Sequence, residues 1–423
     1  MREDFLHFVW KHKKFDVLNL TTSEGKPLEI ISTGTHNHDA GPDFFNAQIK
    51  IDNQLWAGNA EIHLKSSDWY AHNHEQDPAY DNVILHVVYE NDTEIYRADN
   101  SKIPALELKN YLDNGVLKNY RRLFTKSNKW INCESDFAQV DDFTVSSWLQ
   151  RLYFERLEQK SNLVSRLLVS SNNDWEAVLF KMLAKGFGLK VNAEAFLSIA
   201  SSIKFTVVRK TRSKLVELEA LFFGQSALIE KSGQSNYQQE LIETYNLLKQ
   251  KFQLDNQGVL PVKFFRLRPP NFPTIRLSQL ANLYHQNHNL FSRVIDAKQL
   301  EEFYGIFEVG VSDFWKSHYT FDKESKNSQK LLTKSFVDLL LINTILPLKF
   351  QYSKHKAKID DEAILELIQQ IKPENNSVVK GFNDLRPLSR SALETQALIQ
   401  LKTEYCDKNQ CLKCAIGNSL LGK

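Results

Sequence analysis

Gly41-Pro42-Asp43-Phe44-Phe45 and, eighteen positions after its aspartate, Gly58-Asn59-Ala60-Glu61-Ile62-His63-Leu64-Lys65 are the stretches whose reading decides the fold. A carboxylate in a loop followed by a second inside an apolar run is costly to bury without a partner, and a divalent cation is the expected one. Residues 47–52 alternate as a strand does, residues 55–65 continue that pattern, and Asn53-Gln54 between them reads as a short polar turn, so the two should pair as a hairpin. Period two then puts Glu61, His63 and Lys65 on one face and Ile62 and Leu64 on the other. Asp43 lies just before the first strand, with Gly41 and Pro42 shaping its approach, so its carboxylate should reach the end of the neighbouring strand where Glu61 lies. Two such oxygen ligands and a backbone carbonyl suit Mg²⁺ or Mn²⁺, leaving positions open for water and a phosphate.

Outward from this hairpin, residues 2–15 begin with acids and end with Lys11, His12, Lys13 and Lys14, the polarity a helix dipole favours. Phe5, Leu6, Val9 and Trp10 would form its apolar face. Residues 17–22 and 28–32 read as strands across a Ser23-Glu24-Gly25-Lys26 turn, 66–74 has helical character, and 82–90 is a very apolar strand. The order is helix, three or four strands, helix, strand.

Pro42-Asp43, a spacer, and Glu61-Ile62-His63 resemble the metal site of the PD-(D/E)XK phosphodiesterase superfamily, whose restriction-endonuclease-like core runs αβββαβ. The resemblance implies that Asp43 and Glu61 hold the metal in a nuclease acting on DNA or RNA. In that superfamily a lysine two residues after the second acid orients the attacking water. Here that position is His63, and Lys65 follows one strand step along the same face. The histidine in the lysine position also fits an inactive nucleic-acid or protein-binding adaptor on a nuclease-like fold. A longer resemblance runs through Asn37, Pro42-Asp43-Phe44, Glu61-Ile62-His63, Ser67-Asp68-Trp69, His72-Asn73-His74, Val83 to Val88 and Arg268-Pro269-Pro270-Asn271-Phe272-Pro273 to the terminal cysteines. It is to an uncharacterised bacterial family, covers almost the whole chain, and supplies identity rather than activity.

Six of the twelve histidines (His36, His38, His63, His72, His74 and His86) fall in one short span, in the company of Asp39, Asp43, Glu61, Asp68 and Asp77. That crowding supports an alternative, a histidine and carboxylate transition-metal hydrolase using His36, His38, His72 or His74. Plainer explanations stand beside it. His86 reads as a core histidine within its strand, His72 and His74 as loop residues, Asn37 and Asp39 as turn formers, and Asp68 as a helix-capping group.

The whole chain, 423 residues with 42% hydrophobic and 25% charged, is expected to be an α+β protein. Its N-terminal α/β domain would span residues 1–125, followed by helical domains at 126–260 and 261–423. No signal-like N-terminus or long apolar run is present, so a cytoplasmic location without membrane contact is expected. A net charge of +2 leaves nucleic-acid contact to local patches. Arg266, Arg268 and Arg276, around the strand-like stretch 263–271 and its prolines, form one such candidate patch; a rigid joint whose arginines satisfy carbonyls is the alternative. Residues 300–371 read as helical, with the apolar run 336–346 closed by Pro347. In the tail, Cys406-x4-Cys411-x2-Cys414 gathers three of the four cysteines, and Cys133 is the remaining one. Such clustering argues for a metal, zinc or a [4Fe-4S] cluster, with Cys133 joining the other three. It resembles the iron-sulfur staples of some nucleases related to helicase-nuclease and CRISPR-adaptation proteins.

Overall fold

In the computed structural model of the protein, residues 1–125, 129–229, 235–357 and 361–422 are described. Helix α1 (Glu3–Lys11) has Glu3 and Asp4 in its first turn and Lys11 in its last, and it buries Phe5, Leu6, Phe8, Val9 and Trp10. Trp10 Nε1 donates to the Thr33 carbonyl at 3.0 Å, tying the helix to the sheet below.

The sheet has seven strands: β1 (Leu20–Thr21), β2 (Pro27–Ser32), β3 (Thr35–His36), β4 (Phe44–Ile51), β5 (Gln54–Lys65), β6 (Val83–Glu90) and β7 (Ala105–Glu107). Their order is β1-β2-β4-β5-β6-β7, with β3 beside β4. Strands β1 to β5 pair antiparallel, whereas β6 runs parallel to β5 and β7 parallel to β6. The β4–β5 turn is Asp52-Asn53, one residue earlier than the sequence pattern suggests. Both residues have positive φ, +50° and +67°, the pair of left-handed conformations that a two-residue hairpin requires and that Asp and Asn tolerate.

A parallel neighbour for β5 needs a crossover, and residues 66–82 supply it in a compact form: a single helical turn, α2 (Asp68–Ala71), and two 3₁₀ turns (His74–Gln76 and Pro78–Tyr80). Trp69 and Tyr80 bury this crossover against Val83, Ile95 and Ile103. Gly58 lets the strands close up, because a Cβ there would lie 2.4 Å from Ile84 Cγ2 and 2.7 Å from the Asn82 carbonyl. The β5–β6 register shifts by a residue at that point, so that Glu61 stands opposite His86. Helix α3 (Asn114–Phe124) follows, capped by Asp113, which accepts from the Gly115 N–H.

Two compact units divide the chain, Met1–Trp148 with Asp384–Arg386 and Leu401–Lys423, and Leu149–Asn383 with Pro387–Gln400. The sequence boundary at 125/126 falls inside the first unit, where its second residue is outside the described set; that at 260/261 falls inside the second. The second unit is mostly helical. Its expected strand at 263–271 is instead a turn and a short 3₁₀ segment, Pro269–Asn271, since two consecutive prolines leave no N–H for a ladder. Within the expected helical stretch 300–371, His318–Thr320 and Lys323–Glu324 form a small antiparallel hairpin. Pro347 does not close the apolar run. A π-helical turn, Leu341–Ile345, precedes it, and the helix continues over Leu346–His355, because a proline at the start of the new helical segment has no hydrogen bond to lose. Arg276 is enclosed here, donating to Gln279 and Asn271, with its guanidinium 3.6 Å from the centre of the Phe336 ring. Arg266 and Arg268 are exposed. Among the described residues no single helix is long and apolar enough to cross a membrane.

Candidate metal centre

Strand parity brings Glu61 and His63 to one face of β5, and both are buried. Asp43 stands at the head of β4, and the two acids are held by reciprocal backbone bonds. The Asp43 N–H donates to Glu61 Oε2 at 3.0 Å, and the Ile62 N–H donates to Asp43 Oδ2 at 3.0 Å. The loop before Asp43 is fixed by Asn37, whose side chain donates to the carbonyls of Asp39, Ala40 and Pro42. Thus the aspartate and glutamate singled out in the sequence do meet. Lys65 continues the same face but is exposed, 4.0 Å from Asp92.

Two histidines then reach Glu61, and a third joins them. His63 Nε2 lies 3.5 Å and His74 Nε2 3.4 Å from Glu61 Oε1, and His63 Nε2 lies 3.1 Å from His72 Nδ1. One ligand nitrogen from each of His63, His72 and His74 falls within 4.8 Å of the others. The crossover makes this possible: Asn73 takes φ +59°, a left-handed conformation that Asn adopts readily, and reverses the chain between His72 and His74. Tyr80 stacks on the His74 ring at 3.8 Å, and Trp69 packs edge-on against His74 and His86.

The proton inventory of His63 decides what such an array can hold. Its Nδ1 lies 2.8 Å from His86 Nε2, and its Nε2 faces His72 and Glu61. A neutral imidazole carries one proton. With that proton on Nδ1, donated to His86, the Nε2 lone pair faces Glu61 and His72, where it can accept from the His72 Nδ1–H or bind a cation placed among these groups. Metal–nitrogen and metal–oxygen bonds of about 2.1 Å in a tetrahedron set ligand separations of about 3.4 Å, and the separations of 3.1, 3.4 and 3.5 Å bracket that value. Burial, aided by His74 and His72, pushes the His63 pKa down to about 3, so the ring is kept neutral and able to donate its lone pair. Burial drives the Glu61 pKa up against the bonds it accepts, the sign of a carboxylate short of positive charge. His86, enclosed and neutral, is the outer partner that fixes the His63 ring.

Helix α1 adds a residue that the sequence pattern did not single out. His7 Nε2 lies 3.2 Å from Asp43 Oδ2, and its ring packs against His36 and Phe44. Burial works against a charge on His7, but Asp43, with Glu3 and Glu61 further off, leaves its pKa above the ordinary imidazole value. Glu3 one turn earlier is raised to about 7 by burial and by its acidic neighbours. Their four-residue spacing on a helix whose other inward positions are apolar was the available signal. His7, His36 and His38 border a cleft of about 330 Å³ together with Lys11, His12 and Lys413. Asp68 is the first residue of α2 but does not cap it, accepting instead from the Lys65 N–H at 3.0 Å, whereas Asp77 caps the second 3₁₀ turn by accepting from the Ala79 N–H.

A family model described as protein of unknown function (DUF2851) matches residues 3–377. The chain belongs to this family. The matched span includes every residue of the histidine and carboxylate cluster. Neither the comparison with curated proteins nor that with solved structures returned a match.

Proposed function

We propose that this protein is a metal-dependent phosphodiesterase acting on nucleic acid, with a transition metal held by Glu61, His63, His72 and His74. The observation that carries the reading is the approach of three imidazole nitrogens to one another at metal-ligand spacing, with a Glu61 oxygen beside two of them. The choice of phosphodiester rests on two supports. Pro42-Asp43 at the head of β4 and Glu61-Ile62-His63 in β5, between antiparallel β4 and parallel β6, follow the order of the nuclease-like core. The adjoining cleft bears Lys11 and Lys413 beside four histidines, a lining suited to an anionic backbone.

A bound divalent ion would supply an acidified water and neutralise charge developing on a phosphoryl oxygen. The chain's own residues do the rest. His86 holds the His63 ring at the orientation its lone pair needs. Asp43 holds Glu61 through its N–H and holds His7 at the edge of the cleft, where that imidazole can hydrogen-bond a substrate oxygen. In this reading His63 is a ligand rather than the orienting group that the nuclease lysine provides, and Lys65 remains outside the centre.

The test is a cleavage panel on single- and double-stranded DNA and RNA with Zn²⁺, Mn²⁺ or Mg²⁺, alongside metal analysis of the purified chain. Cleavage supported best by Zn²⁺ or Mn²⁺, and abolished in His74→Ala, is expected. Metal-loaded protein that cleaves none of the substrates would overturn the activity while leaving the metal centre standing.

A further inference from the structure

We propose that Cys133, Cys406, Cys411 and Cys414 form a second metal centre, a four-thiolate site for a thiophilic metal, either one zinc ion or an iron-sulfur cluster. All four cysteines are unbonded to one another and line a single pocket with Ile131, Phe137, Leu401 and Tyr405; among the described residues no three of their sulfurs lie within 4.8 Å of one another, a spacing that suits a cluster and that a single zinc ion would draw in. Cys133, Cys411 and Cys414 are buried, and Cys406 is half-buried. The loop that carries Cys133 reaches the tail directly: Asn132 Nδ2 donates to Cys411 Sγ at 3.4 Å and to Asn409 Oδ1 at 3.1 Å.

Two of the four sulfurs accept hydrogen bonds. Cys414 Sγ accepts from the backbone N–H groups of Ile416 and Gly417, and Cys411 Sγ from Asn132. Hydrogen bonds to sulfur favour its charged form. Burial does the opposite and is the largest influence on each of the four, so their pKa values are raised. A cation bound among the sulfurs would offset that burial, which is how metal binding becomes folding free energy. Gly417 shows how closely the tail is wound: a Cβ there would lie 2.2 Å from the Cys411 carbonyl oxygen. The turn bearing Cys406, Leu401–Cys406, is π-helical, a widening found often at functional sites.

Such a centre would clamp the loop after Cys133 to a segment more than two hundred residues away in sequence, suppressing the unfolded ensemble by closing a long loop. It would also fix the wall of the cleft beside α1, since Asn409, Gln410, Leu412 and Lys413 border it. The inference rests on the cysteines alone and is independent of the phosphodiesterase reading.

The test uses the full-length His72→Ala/His74→Ala protein, in which the histidine cluster is removed, purified anaerobically and assayed for zinc, iron and acid-labile sulfide. Expected is either about one zinc per chain, or about four irons with matching sulfide and a visible charge-transfer band. Cys133→Ser and Cys414→Ser should each lower that metal content by about tenfold or more. Should either variant fail to fold, Co²⁺ added to metal-stripped protein gives a second reading, a thiolate-to-cobalt charge-transfer band that an oxygen or nitrogen site cannot produce. Substoichiometric metal after both purification and anaerobic reconstitution, with no cobalt-thiolate band, would overturn the proposal.

Discussion

His72 has little to do for the stability of the chain. His72 is exposed, and His74 is half-buried at the outer side of its crossover. Their replacement removes imidazoles from the array around Glu61 without emptying a core site. His72→Ala should therefore change metal-free stability by only about 0.5 kcal/mol, and His74→Ala by more, because its ring stacks on Tyr80; in both variants metal affinity measured by competition with a chromogenic chelator should fall at least tenfold. Equal affinity in both variants would remove the histidines from the ligand set. His86 acts through His63 and is wholly enclosed. His86→Gln keeps a hydrogen-bonding group near His63 Nδ1, whereas His86→Leu leaves that nitrogen unpaired. Leucine should weaken metal binding by about 10–100-fold, glutamine by less. A reversal of that order would show that ring packing against Trp69, not the bond to His63, is what matters at this position.

At the scale of elements, the hairpin was legible and the crossover was not. Alternation over 47–52 and 55–65 is a local signal, and it placed Glu61 and His63 on one face of β5 before any contact was known. The crossover has no such period: one helical turn, a left-handed asparagine and two 3₁₀ turns follow local turn chemistry, and their histidines looked like surface residues. Asn73 is the point to probe. At φ +59° a β-branched residue is strained by roughly 1–2 kcal/mol, whereas glycine adopts the conformation freely. Asn73→Val should lower the melting temperature and weaken metal binding together, and Asn73→Gly should preserve both. If valine leaves metal affinity unchanged, the reversal at Asn73 does not set the spacing of His72 and His74.

Across the molecule, the clearest pH dependence expected from the second unit comes from Glu219. It is buried, accepts from Ser278 at 2.5 Å and Tyr237 at 2.7 Å, and burial outweighs those bonds to raise its pKa from 4.5 to about 7. The folded state then binds a proton that the unfolded state has released between these two values. The stabilisation is full below the unfolded pKa and is lost as pH rises through the folded one. Wild-type stability relative to Glu219→Gln should fall by up to roughly 3 kcal/mol between pH 4.5 and 7, read as the difference in urea midpoints. Parallel pH profiles for the two proteins would show that Glu219 is ionised in the fold.

The sequence by itself determined what neighbours in the chain can encode. It set the amphipathic first helix, the β4–β5 pair with its acids and His63 in register, the apolar β6, the α+β character and the clustering of three tail cysteines. Tertiary structure alone decided which distant groups meet. His7 is brought to Asp43 by packing α1 on the sheet, His86 to His63 by a parallel neighbour strand, and Cys133 to a pocket shared with the tail. A one-dimensional pattern reports the period of a helix or strand, but the distance between residues far apart in the chain is set by which apolar faces bury against each other, and that is settled only when the whole unit folds.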